Sequence, residues 1–343
     1  MSEKYASKGL TGLANLGNTC FINSCMQVIS HTYELSDILD DDNLKMHMQK
    51  NDDSVVLNEW NKLRKLMWSS NCTISPNGWL RAIHTIAQKK DKDIFTGFAQ
   101  NDLPEFLLFI TDCFHNSIKR EVDMSIKGDV LNEKDMLAKK CYDMMITMYK
   151  KEYSEILKLF FGLHVSQISS LDGEILNNHP EPFYILDLPI PNANPKKSYT
   201  ITQCLDIYCE PEKLHGENAW FNEKTGNKQD VNRRILFWSL PDIVTITFKR
   251  FNNSGRKLQN MINFPIEDLD LTPYTHLQDN SFIYDLYGIC NHSGGTAGGH
   301  YTSCVKNANN KWYYFNDTNV SEIKDPSKMI TSQAYCLFYR KKK

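Results

Sequence analysis

Asp135–Phe161, DMLAKKCYDMMITMYKKEYSEILKLFF, contains neither glycine nor proline, and its apolar residues recur at helical spacing. The stretch reads as long, amphipathic and helical in character, with Leu157, Phe160 and Phe161 facing the core. Downstream the pattern changes. FYILDLPIP (Phe183–Pro191), DIVTITFKRF (Asp242–Phe251), FIYDLYGIC (Phe282–Cys290), HYTSCVK (His300–Lys306), KWYYFND (Lys311–Asp317) and AYCLFYRK (Ala334–Lys341) are short and rich in β-branched and aromatic residues. Gly, Pro or Asn bounds them, as expected of strands. Upstream, Phe21–Ile29 and Leu103–Phe114 are dense in apolar residues at turn spacing, so helices dominate there. A helical part, residues 1–159, followed by a strand-rich part, residues 160–343, predicts an α+β domain with any active site in the cleft between them. Residues at opposite ends of the chain are then candidates to meet.

The bulk properties narrow the class. With 343 residues, 41% apolar and 23% charged, the chain has the balance of a soluble globular protein, not that of a disordered or membrane protein. A net charge of −2 gives no general attraction to nucleic acid or an anionic membrane, so neither is expected as a partner. The N-terminal MSEKYASKGL lacks the apolar region of a secretory signal, and no run approaches the roughly 20 apolar residues of a membrane span. An intracellular protein, cytoplasmic or nuclear, is expected. Its ten cysteines include no C-x-x-C pair, which points to reduced thiols and to no metal or other cofactor.

One cysteine and one histidine stand out. In GLANLGNTCFINS (Gly12–Ser24), polar Asn18 and Thr19 precede an apolar run, so a helix is expected to begin near Cys20 and place the thiol at its positive end. There its pKa should fall, but nucleophilic chemistry also needs an imidazole. His300 opens a strand after the glycine-rich SGGTAGG, where Gly298 and Gly299 leave room for a substrate backbone. Asn316 and Asp317 end the next strand, and either can accept a hydrogen bond from the ring and fix its tautomer. A structural reading stands beside each: a buried free thiol for Cys20 and a hairpin loop before His300.

Together these residues resemble the ubiquitin-specific proteases, papain-like cysteine peptidases that remove ubiquitin from proteins. GLANLGNTCFINSCMQ is similar to that family's cysteine box. GGHYTSCV with WYYFNDTNV and AYCLFY resembles its histidine box, FAQNDLPEFLLFI its Gln-Asp-Glu-Phe box, and LPDIVTITFKRF its Leu-Pro strand, all in the family's order. The resemblance implies a papain-like fold with a helical thumb, a β-rich palm and a β fingers extension. It implies Cys20 as nucleophile, His300 as base and Asn316 as the residue orienting the ring, with Asp317 as a second candidate for that task. Asn15 matches the oxyanion-hole amide, although on its own it also reads as a turn former.

The same resemblance makes Asp102 and Glu105 carboxylates for the arginine-bearing ubiquitin tail, while DLPE equally reads as a helix capping box. It places Gln100, His292, Gly299 and Tyr301 along the cleft, with a purely structural role for His292 as the competing reading. It also makes SGGTAGG and NNSGRKLQN cleft-flanking loops that gate the channel. Family members often clamp their fingers with zinc through two C-x-x-C pairs, but this chain has Ser169 and Asp172 at one pair and Phe221 and Lys224 at the other. A metal-free extension is expected, since Phe and Lys do not ligate zinc; Cys204, Cys209 and His215 have poor spacing for a substitute site. The implied partners are ubiquitin and ubiquitinated proteins, and the implied activity is hydrolysis after ubiquitin's terminal glycine by a monomer. Two alternatives stay open: a catalytically silent ubiquitin-binding module, and a protease for a ubiquitin-like modifier.

Overall fold

A computed structural model gives the structure, which describes residues 3–97, 101–191, 197–252, 254–276, 281–295 and 298–342. Its helices are α1 (Cys20–Ser30), α2 (Tyr33–Asp40), α3 (Asp42–Met46), α4 (Asp53–Ser69), α5 (Asn77–Lys89), α6 (Leu103–Ile118), α7 (Glu133–Glu152), α8 (Glu155–Phe160) and α9 (Ile201–Cys209). Short strands β1 (Gly12–Leu13) and β2 (Thr73–Ile74) pair in parallel within the helical part. Then follow β3 (Gly162–Ser169), β4 (Ile175–Phe183), β5 (Ile185–Leu188), β6 (Tyr199–Thr200), β7 (Glu212–Leu214), β8 (Trp220–Asn222), β9 (Asn227–Gln229), β10 (Val231–Ser239) and β11 (Ile243–Phe248). The last are β12 (Ile262–Asn263), β13 (Leu269–Asp270), β14 (Ile283–Gly295), β15 (Gly298–Lys306), β16 (Trp312–Asn316), β17 (Asn319–Ile323) and β18 (Ala334–Lys341).

Two sheets organise the strands. The larger has eight, running β17-β16-β15-β14-β18-β11-β5 with β13 paired to β14. All its pairings are antiparallel except that of β5 with β11. Strand β11, IVTITF, is buried at every position, as a β-branched strand covered on both faces should be. The smaller sheet is β4-β3-β10-β7, and β8 and β9 pair as a separate antiparallel hairpin. Ser169 ends β3, and Phe221 lies exposed on β8; among the described residues no group of three or more His, Cys, Asp or Glu could hold a metal ion. Nor, among the described residues, is any helix long and apolar enough to cross a membrane.

Helix α1 is buried at all its positions, so it runs through the main core between the other helices and the large sheet. Its close approach to the sheet depends on Gly288, where a Cβ would sit 2.4 Å from Val28 Cγ1. The register of β14 against β18 shifts between Leu286 and Gly288, a bulge at the same place. A second core, with Leu186, Ile246, Leu337 and Cys204 of α9, lies on the far side of the sheet. A third joins α7 to β3 and β10 through Cys141, Val165 and Trp238.

The helical stretch over Asp135–Phe161 is divided between α7 and α8. Tyr153 leaves the helix because its backbone exchanges two 2.9 Å hydrogen bonds with Arg120, whose side chain also pairs with Glu155 at 2.6 Å. Ser154 then caps α8, its Oγ accepting from the Leu157 N–H at 3.3 Å. These tertiary contacts outweigh the local helix preference. Leu157 and Phe160 are buried, and Phe161 is half-buried and stacked on Tyr184.

Candidate active site

Residues 14–19 form a tight loop that delivers Cys20 to the first position of α1. Gly17 and Asn18 take left-handed backbone angles, with φ of +101° and +53°. Asn15 Oδ1 accepts from the N–H groups of Gly17 and Thr19 at 3.2 and 3.1 Å, and Thr19 Oγ1 accepts from the Leu16 N–H at 2.9 Å. Asn15 is thus a turn former through its Oδ1, and its Nδ2 is left to bond outside the loop. The helix is fixed against the sheet by Ser24 Oγ, which donates to the Thr302 carbonyl at 2.9 Å. Cys20 therefore lies beside the start of β15, where His300 stands.

His300 Nε2 is 2.7 Å from Asn316 Oδ1, an arrangement that makes Nε2 the donor and leaves Nδ1 with a lone pair. The ring is half-buried at the cleft. Among the described residues no hydrogen bond joins it to the Cys20 sulfur. The Asp317 carboxylate is bonded elsewhere. Its left-handed backbone (φ +50°) turns the carboxylate toward the cysteine box, where Oδ2 accepts from Asn15 Nδ2 at 3.0 Å and Oδ1 from Asn23 Nδ2 at 2.8 Å. Its carbonyl also accepts from the Leu13 N–H at 2.9 Å, so the β16–β17 turn is stitched to β1.

The Cys20 pKa is raised, contrary to the fall expected at a helix start. Burial is the main cause, the residue being 2% exposed, and the Asp317 carboxylate adds to it. Backbone N–H groups of Tyr301, Phe21 and Cys20 itself oppose the rise without cancelling it. The helix-end effect is present but smaller than the desolvation.

Asp102 occupies the N-cap position of α6, but its side chain makes no capping hydrogen bond, so the capping box is not formed. Pro104 at the second helical position has no N–H to offer. Instead Asp102 Oδ1 accepts from Tyr335 at 2.8 Å and more weakly from Tyr301 at 3.5 Å, which ties α6 to β18 and β15. Glu105 is exposed in the first turn. Tyr301 itself is buried and stacks on the equally buried His292 with ring centroids 4.5 Å apart, so both rings lie beneath the cleft wall. Gly299 has no room for a side chain, since a Cβ would come within 2.3 Å of His292 Nε2. Gln100, Asn253, Thr296 and Ala297 lie outside the described residues. A groove of about 750 Å³ runs between α6 and the sheet, lined by Asp102, Leu108, Tyr184, Asp187 and Phe251 among others.

Sequence reasoning missed Asn23, the second amide on Asp317, and Tyr335, the principal partner of Asp102. Each lies inside a motif that was read for its apolar character, and only the long-range pairing assigns its polar atom a task.

The model of the family described as ubiquitin carboxyl-terminal hydrolase matches residues 11–339. Human ubiquitin carboxyl-terminal hydrolase 2 is 32% identical over 355 residues, covering 99% of this chain and 56% of that protein. Drosophila melanogaster ubiquitin carboxyl-terminal hydrolase Usp2 is 31% identical over 347 residues, covering 99% of this chain and 36% of that protein. The chain thus spans about a third to a little over half the length of these two relatives. The Gallus gallus ubiquitin carboxyl-terminal hydrolase 2, 32% identical over 346 residues, is covered to 93%, with 97% of this chain aligned. Among solved structures, the SAGA Ubp8/Sgf11/Sus1/Sgf73 DUB module bound to ubiquitin aldehyde contains a similar chain. It matches with a TM-score of 0.75 and 24% identity, over 100% of this chain and 71% of that one, a likeness of fold.

Proposed function

The chain belongs to the ubiquitin carboxyl-terminal hydrolase family, and we propose that it is a cysteine-dependent deubiquitinase that cleaves the isopeptide bond after the terminal glycine of ubiquitin. The observation that carries this reading is the 2.7 Å contact of His300 Nε2 with Asn316 Oδ1 on strands packed beside the Cys20 helix start. It supports a ring whose free Nδ1 takes the thiol proton. Cys20 Sγ then adds to the glycine carbonyl, and its electrons move onto the carbonyl oxygen. Asn15 Nδ2–H and the Cys20 N–H are the donors assigned to that oxyanion. Collapse of the intermediate expels the lysine amine, which takes its proton from His300. Water, deprotonated by the same ring, hydrolyses the thioester to release free ubiquitin and the thiol.

The raised Cys20 pKa is consistent with a thiol that stays protonated at rest, so that His300 acts as a true general base. The groove along α6 has the shape for an extended tail, and Asp102, Glu105 and Asp187 supply the acidity that arginines in it would meet. The helical part through residue 159 and the strand-rich part from residue 160 act as one catalytic unit. Because this chain itself carries Cys20, His300 and Asn316, a monomer is the active form we assign. Ten free cysteines suit a reducing compartment, cytoplasm or nucleus. The test is incubation with ubiquitin bearing a C-terminal electrophile. A covalent adduct that disappears with Cys20→Ala is expected, and an adduct that persists in that variant overturns the assignment. The same probe built on a ubiquitin-like modifier separates the two modifier classes.

A further inference from the structure

A buried lysine joins the two segments that flank the candidate cleft. Lys257 closes a short hairpin after β11, where its backbone bridges to Phe251 and the Leu258 N–H donates to the Arg250 carbonyl at 2.6 Å. Within that hairpin Asn252 Oδ1 accepts from the N–H groups of Ser254 and Arg256 at 3.1 and 2.9 Å. Lysines in such hairpins normally extend into water, but this one is only 8% exposed. Its Nζ donates to the His292 carbonyl at 2.5 Å and lies 3.0 Å from His292 Nδ1. Among the described residues no carboxylate pairs with it. Burial of an ammonium without an anion is costly, so the contact calls for a reason beyond stability.

An ammonium only donates, so His292 Nδ1 must accept and the ring proton must sit on Nε2. That nitrogen faces Gly299, the residue immediately before His300. Across the β14–β15 ladder His292 pairs with Tyr301 and Ser293 with His300. Lys257 thus grips both the backbone and the ring of a residue one register step from the candidate base.

We propose that Lys257 is a positioning residue: by donating to the carbonyl and Nδ1 of His292 it locks the hairpin after β11 to the β14–β15 ladder and sets where the His300 imidazole stands relative to Cys20. The proposal rests on the reading of His300 as the base. The groups around the contact are the fully buried Arg250, which donates to the carbonyls of Ala334, Leu258 and Asn260, and Tyr301 and Tyr335, which share Asp102. Burial and the Arg250 charge lower the Lys257 amine to about 8, and burial and Lys257 lower His292 to about 4. Between those values a charged donor meets a neutral acceptor. Above the upper one the amine loses its charge and the grip weakens.

The test uses the full chain. Nitrogen-15 NMR reports the His292 tautomer, and mass spectrometry follows the pH dependence of Cys20 alkylation by iodoacetamide. Steady-state kinetics use ubiquitin carrying a C-terminal fluorogenic amide. The wild type is expected to show His292 as the Nε2–H tautomer. Lys257→Met is expected to lower kcat by about tenfold or more with KM within about twofold, and to move the alkylation midpoint upward. Lys257→Arg, which keeps a charged donor, is expected to restore part of both. A folded Lys257→Met protein with wild-type kcat and alkylation profile overturns the proposal, as does a wild-type His292 protonated on Nδ1. If Lys257→Met does not fold, the wild-type tautomer and the Lys257→Arg profile decide by the same criteria. A wild type with the expected tautomer and alkylation profile but no turnover of the ubiquitin amide overturns the substrate reading and leaves the lysine contact standing.

Discussion

Asn15 and Asp317, 302 positions apart, share a 3.0 Å hydrogen bond from amide Nδ2 to carboxylate Oδ2. The carboxylate holds the Asn15 amide within the cysteine box, and the Asn23 amide holds the carboxylate in turn at 2.8 Å. If Asn15 is the oxyanion donor, Asn15→Ala lowers kcat by about 10²–10³ with little change in KM, the usual result of removing one such donor. Asp317→Ala leaves the amide present but loosely aimed, so its loss is smaller, on the order of tenfold. Steady-state kinetics on both variants check the ranking; an Asp317→Ala loss equal to or greater than that of Asn15→Ala contradicts it.

Asn316 bonds the His300 ring and not Asn15, so the proposed mechanism gives it a different task. Asn316→Ala leaves both ring tautomers accessible and is expected to lower kcat by roughly 10²-fold. Asn316→Asp keeps an acceptor at the same place and should remain within about tenfold of wild type. Equal losses in the two variants would show that the acceptor is not what matters.

Gly12 is where the cysteine box touches the β16–β17 turn, and a Cβ there would sit 2.3 Å from the Thr318 carbonyl oxygen. Backbone on backbone leaves no flexible group to yield. Gly12→Ala should cost about 1–3 kcal/mol of stability and lower activity further by separating Asn15 from Asp317. Urea unfolding and kcat on one preparation test both parts; wild-type values for both refute the contact's importance.

Acid should destabilise the fold before the carboxylates titrate. Burial lowers both His31 and His292 from 6.5 to about 4, so between those values the unfolded chain binds the protons more tightly. Their contribution is full above 6.5 and is lost as pH falls toward 4, by up to about 1.4 kcal/mol per pH unit for each histidine. Urea midpoints at pH 7 and pH 5 measure the loss, and equal midpoints contradict it.

The strand-like segments were legible because each carries its own signal. FYILDLPIP, DIVTITFKRF, FIYDLYGIC, HYTSCVK, KWYYFND and AYCLFYRK overlap β5, β11, β14, β15, β16 and β18, all in the large sheet. Their order was not legible, since β18 sits between β14 and β11 through pairings of residues tens of positions apart, with other strands intervening in sequence. The break at Tyr153 was hidden for a related reason: its cause is Arg120, on another segment. Cys20, His300 and Asn316 could be named from residue type and setting, but whether Asn316 or Asp317 meets the ring depends on one backbone angle at Asp317. The direction of the Cys20 pKa also escaped, because desolvation belongs to the packed fold and not to the helix start. Lys257 gave no signal at all, as a lysine in a polar loop ordinarily extends into solvent.

The central place of β18 bears on how the protein is born. A nascent chain on the ribosome can form its early helices, but the middle of the large sheet stays open until residues 334–341 have emerged to fill the gap between β14 and β11. Cys20 is translated well before His300, its partner in the proposed mechanism, and before the strand that fills the sheet. A ribosome that stalls between these segments therefore releases the Cys20 thiol without His300, and the proposed catalytic set has its full sheet only once β18 has emerged.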